Sequence, residues 1–125
     1  MSAPILLAVA VGGFFGAPTR FLVDRYVTGR FASQLPWGTF LVNASGSLLL
    51  GVLAGLALAG SLPPLLVAGL GTGFCGAYTT FSTFSFETLR LAESGRLAEA
   101  GANLLASVGV GLAAAAAGVA LGSLA

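Results

Sequence analysis

Long apolar runs dominate the chain. Residues 1–19, 31–86 and 100–125 contain no charged side chain, and the charges between them fall in two short clusters. Arg20, Asp24, Arg25 and Arg30 form the first; Glu87, Arg90, Glu93, Arg96 and Glu99 form the second. A helix that crosses a bilayer needs about 20 mainly apolar residues. The middle run is long enough for two such helices, and "AGSLPPLL" at 59–66 supplies a Ser-Leu-Pro-Pro turn at its centre. The pattern predicts an all-α membrane protein, a single domain over 1–125, with four spans at roughly 4–26, 37–59, 63–91 and 97–122.

Composition narrows the classes. Of 125 residues, 57% are hydrophobic and 7% charged, against about 25% charged in ordinary soluble domains. A net charge of +1 lacks the clustered basic footprint that nucleic acid requires, so the expected surroundings are a lipid bilayer and no nucleic acid. "AVA" at 8–10 imitates a signal-peptide cleavage site, but no Lys or Arg precedes the apolar run, so the segment reads as the first span. Cys75 is the only cysteine, and there is no His, Walker loop or nucleophile elbow. The chain does not read as an enzyme.

With four spans, the turns after spans one and three share one face of the membrane, and the two charge clusters, with every Arg, flank them. The positive-inside rule puts that face in the cytoplasm. Tyr26 and Trp37 fit an interfacial aromatic belt. Gly12/Gly16, Gly51/Gly55, Gly69/Gly73 and the Gly/Ala run 109–120 have the small-xxx-small spacing that lets helix backbones approach closely. Four helices this size make a thin bundle that cannot seal a polar path from lipid alone, so oligomerisation is expected.

Polar groups inside the spans are expensive and therefore informative. Thr39, Asn43 and Ser47 recur every four residues on one face of span two; they either glue the bundle or line a path. Asn103, Ser107 and Gly111 repeat the spacing in span four. In "GFCGAYTTFSTFSFE" at 73–87, Gly73, Gly76 and the Thr79-Thr80 pair are poor helix formers, and the run of hydroxyls competes for the backbone. A helix break near 76–80 is expected. Its freed carbonyls suit a hard monovalent cation, although a packing kink is the simpler alternative. Phe81 and Phe84 follow the break on nearly one face. Such a pair is either lipid-facing or core packing, or it offers positive ring edges to a small anion. Arg20 and Glu87 border the charge clusters and either pair or snorkel to the interface.

"GxxGAxxR" in Gly13–Arg20, "GTFLVNASGS" at 38–47 and "GFCGAYTTFSTFSFE" at 73–87 resemble the Fluc (CrcB) fluoride channels, and the likeness covers the whole chain. The resemblance implies an antiparallel, dual-topology homodimer with two fluoride pores and a structural sodium ion on the dimer axis. Carried onto this sequence, Gly76 and Thr79 give backbone carbonyls to sodium, and Phe81 and Phe84 are the pore phenylalanines. Asn43 is the pore asparagine, Thr39, Ser107 and Glu87 join the polar track, and Arg20 is a candidate vestibule residue. The implied activity is passive fluoride export across the inner (plasma) membrane, which lowers cytoplasmic fluoride. The chain departs from the family pattern at Asn103, where some relatives carry Tyr, at Gly111, where some carry Ser, and at Tyr78, a place often aliphatic. The competing reading is a proton-coupled small multidrug exporter, which needs an ionisable carboxylate deep in a span. A third is a non-transporting scaffold subunit. The one-sided Arg distribution argues against dual topology, unless Arg20 is buried in the bundle.

Overall fold

The computed structural model describes residues 2–31 and 33–125. Helix α1 (Ala3–Arg30) starts where the Ser2 hydroxyl accepts a hydrogen bond from the Ile5 N–H and a proline occupies the first turn, a position where the missing N–H is harmless. It runs past the expected end at residue 26 and carries Asp24, Arg25 and Arg30 in its last turns. Arg25 and Arg30 lie over the rings of Phe21 and Tyr26, at 5.9 and 5.5 Å from the centroids. These cations rest on aromatic faces at the helix end, where the helix dipole favours positive charge.

Helix α2 (Trp37–Leu58) ends at a turn in which Gly60 adopts φ 74°. The third crossing is built in pieces: helix α3 (Pro64–Leu66), a π-helix (Val67–Cys75), helix α4 (Gly76–Tyr78), and helix α5 (Phe81–Glu93). Between α4 and α5 the chain is extended at Thr79 (φ −80°, ψ 158°) and Thr80 (φ −147°, ψ 121°). The expected break therefore falls on the two adjacent threonines. The π winding ahead of it adds an irregularity that the sequence reading did not contain. Gly95, at φ 80°, makes the turn into helix α6 (Leu97–Ser123). Helices α1, α2 and α6 are each long and apolar enough to cross a membrane, and the broken third segment completes a count of four.

The crossings pack as two glycine-bonded pairs. In the first, α2 lies on α6. A Cβ at Gly51 or Gly55 would overlap the carbonyl of Ala115 or Val119, and one at Gly118 or Gly122 would overlap that of Leu48 or Val52. In the second, α1 lies on the third crossing. A Cβ at Gly12 or Gly16 would overlap the carbonyl of Gly69 or Phe74. The small-residue spacing thus does what it does in lipid generally: with no hydrophobic drive between helices, close backbone approach supplies the dispersion contact.

Candidate functional site

The break is held by α2. Asn43 Nδ2 donates to the Thr80 carbonyl at 2.9 Å, and the Thr80 N–H donates to Asn43 Oδ1 at 2.8 Å. One amide side chain thereby replaces a backbone partner on both sides. The N–H that an unbroken helix would give to the Gly76 carbonyl goes to Asn43 instead, which frees that carbonyl at the end of α4. Thr80 also caps α5, its Oγ1 accepting from the Thr83 N–H at 3.1 Å. Gly46 makes room for the turn, since a Cβ there would strike the methyl of Thr79 and come within 3.1 Å of the Tyr78 ring. Tyr78 is buried, stacks on Phe74 at 5.6 Å and shares a 2.9 Å hydrogen bond with Ser45.

The break opens a groove of 280 Å³ lined by Asn43, Ser47, Thr79, Phe81, Phe84 and Ser107 among others. Phe81 and Phe84 meet at 5.8 Å with an interplanar angle of 51°. They are not equivalent: Phe84 is 7% exposed, whereas Phe81 is 78% exposed on the outer wall. The apolar rings and the Asn, Ser and Thr groups thus converge on one small space. Gly111 faces Ser47, with 3.7 Å from the position of a Cβ to Ser47 Oγ.

Thr39 and Glu87 lie elsewhere. Thr39 is 4% exposed and lines a separate 210 Å³ pocket with Arg20, Asp24, Thr80 and Thr83. Thr80 is common to that pocket and the groove. Glu87 has Thr39, Asp24 and Arg90 around its carboxyl, and opens on a 470 Å³ polar mouth with Thr28, Gln34, Ser94 and Arg96. Its Oε1 is buried without a hydrogen-bond partner among the described residues. Arg20 does not pair with Glu87. Its Nη1 reaches the Thr79 carbonyl at 3.5 Å, so the guanidinium turns into the bundle. The one ion pair among the described residues is Arg96–Glu99 at 3.0 Å.

Thr88 escaped the sequence reading. Asn103 Nδ2 donates to Thr88 Oγ1 at 2.8 Å, Thr88 Oγ1 donates to the Phe84 carbonyl at 2.8 Å, and Ser107 Oγ donates to Asn103 Oδ1 at 3.4 Å. A lone Thr near a charged cluster reads as one more solvated side chain in a sequence; the signal that could have found it was Asn103, a buried amide that needs a partner.

The CrcB family profile, described as "CrcB-like protein, Camphor Resistance (CrcB)", matches residues 7–119. The fluoride-specific ion channel FluC 1 of Streptomyces avermitilis is 54% identical over 113 residues, covering 90% of this chain and 91% of its own. FluC 1 of Frankia casuarinae is 52% identical over 121 residues, 92% of this chain and 93% of its own. FluC 2 of Mycobacterium tuberculosis is 49% identical over 115 residues, 92% of this chain and 88% of its own. These relatives are named as ion channels, not as enzymes. Three apolar membrane-length helices, a fourth broken crossing and likeness along nearly the full length identify a multi-pass membrane protein that belongs to the CrcB family.

Proposed function

We propose that this protein is a fluoride channel that lets fluoride leave the cell passively and so lowers cytoplasmic fluoride. The observation that carries the reading is the groove at the break, where Asn43, Ser47 and Ser107 meet the Phe81–Phe84 pair. The names of the relatives supply the ion. Fluoride is small and tightly hydrated, so its dehydration must be offset by close donors, yet conduction also needs weak sites that release it. Asn43 keeps one of its two N–H hydrogens uncommitted among the described residues. Phe ring edges add weak attraction without the trap that a buried Lys would set. No acid lines the groove, which disfavours exchange against protons.

The working unit in this reading is an antiparallel homodimer with two pores. Phe81 forms an outer wall that is open in one chain; a second copy closes it. The Gly76 carbonyl suits a structural sodium ion, since the break removes its helical donor and Gly76 is exposed; the Thr79 carbonyl joins it once Arg20 Nη1, 3.5 Å away, withdraws. One chain alone offers a cation too few oxygens, and a copy across a two-fold axis doubles them. Such an ion would supply positive charge at the break and tie the two chains together.

The test is fluoride efflux from liposomes carrying the purified protein, read with a fluoride electrode beside a chloride control. Rapid fluoride release with little chloride is expected, slowed by Phe81→Ile. No release from liposomes shown to hold folded dimer returns the groove to a packing role in a scaffold subunit. Reporter fusions at the C-terminus should signal on both sides of the membrane. Signal on one side alone sinks dual topology, which the four Arg outside the bundle oppose.

A further inference from the structure

The chain of hydrogen bonds from Ser107 to Phe84 has a direction, and that direction can be deduced from proton counting. The Phe84 carbonyl only accepts. At 2.8 Å, the Thr88 oxygen that faces it must place its hydrogen between them, because two lone pairs at that distance repel. A hydroxyl carries one hydrogen, so Thr88 has none left for Asn103. The 2.8 Å contact between Thr88 Oγ1 and Asn103 therefore requires the amide N–H₂ of Asn103 on that side. The amide oxygen is then turned toward Ser107, and the 3.4 Å contact there is satisfied by the Ser107 hydrogen. Ser107 lines the groove, but its only hydrogen points away from the groove, toward Asn103. What Ser107 presents to a passing anion is oxygen lone pairs.

We propose that Asn103 is a positioning residue that, anchored through Thr88 to the Phe84 carbonyl, holds the Ser107 hydroxyl in its non-donating orientation and thereby weakens the groove's hold on fluoride. This rests on the fluoride-channel reading. Asn103 is 8% exposed and does not itself line the groove, so it acts through Ser107. The lock is asymmetric: its anchor is two short bonds and its grip on Ser107 is one long one. A serine free to donate would bind the anion more tightly and release it more slowly; a serine held back keeps the site weak.

Thr88→Val tests this. It keeps the shape of the side chain and removes the oxygen that fixes the amide. Asn103 can then turn its N–H₂ toward Ser107, which reverses the serine and aims its hydrogen into the groove. Single-channel or macroscopic fluoride currents of the full-length protein in planar bilayers give the half-saturating fluoride concentration. Thr88→Val should lower it about tenfold to a hundredfold, the worth of one hydrogen bond to an anion. In a Ser107→Ala background, adding Thr88→Val should change nothing, because the serine through which it acts is absent. If Thr88→Val does not yield folded protein, Asn103→Leu removes the acceptor of the Ser107 hydrogen, with the same shift and the same dependence on Ser107 expected. A half-saturation that does not move, or a shift that persists without Ser107, overturns the lock and leaves Asn103 as packing glue. Wild-type protein that passes no fluoride overturns the channel reading and the lock together, an outcome distinct from a conducting channel indifferent to Thr88.

Discussion

The two helix pairs of this protein use the same glue and reach different ends. On one side, α2 and α6 meet through Gly51, Gly55, Gly118 and Gly122, and both remain regular helices. On the other, α1 meets the third crossing through Gly12, Gly16 and Gly73, and that crossing winds as a π-helix before it breaks at Thr79–Thr80. Close glycine packing therefore does not itself deform a helix. The difference is the polar partner. The third crossing has an amide, Asn43, placed to take up the N–H and carbonyl that the break exposes, whereas among the described residues nothing equivalent faces the middle of α6. A membrane helix can be broken where a neighbour replaces its own backbone bonds.

Substitutions separate the two pairs. The largest loss of stability is expected for Gly118→Val or Gly51→Val, which drive a side chain into partner backbone; overpacking of this kind costs about 1–3 kcal/mol or more. The check is the yield of folded protein on size-exclusion chromatography and its melting in detergent. Asn43→Leu should match that loss in stability and come first in function. It strands the Thr80 N–H and carbonyl, at about 1–3 kcal/mol for each group, and fluoride efflux should fall by more than about tenfold. Efflux near wild type would mean that the break holds without its clamp, and the contrast between the pairs would lose its cause. Tyr78→Phe should have the smallest effect. It removes only the 2.9 Å bond to Ser45, about 1 kcal/mol, and should lower the melting temperature while leaving efflux close to wild type.

Much of this was legible in the sequence because membrane insertion is a severe constraint. Charge-free runs located the crossings, Ser-Leu-Pro-Pro located a turn, and glycine spacing marked the faces that pack, though not which crossings pair. The break was legible at Thr79–Thr80 because two adjacent threonines beside Gly76 weaken a helix and carry their own hydrogen-bonding groups. The π-helix was not, because winding with an added residue per turn leaves no periodic mark that Val67–Cys75 shows in the sequence. Asn43 stood between two readings, glue or path; the structure shows its two hydrogen bonds to Thr80 and sets it in the groove wall. The Thr39/Asn43/Ser47 stripe is real as helical spacing, but Thr80 divides it, leaving Thr39 with Arg20 and Asp24 on the far side. Partners across helices, such as Thr88 for Asn103, lie beyond what periodicity can report.

The Asn43 clamp also bears on how the chain is made. Three crossings are apolar and regular enough to enter a bilayer one at a time. The third is not, since its broken middle exposes backbone groups that hydrocarbon cannot solvate, each at several kcal/mol. It becomes tolerable to lipid only once α2 is beside it and the amide has found Thr80. Biogenesis thus has a built-in order: the second crossing must wait in the membrane, or at the insertion machinery, until the third arrives.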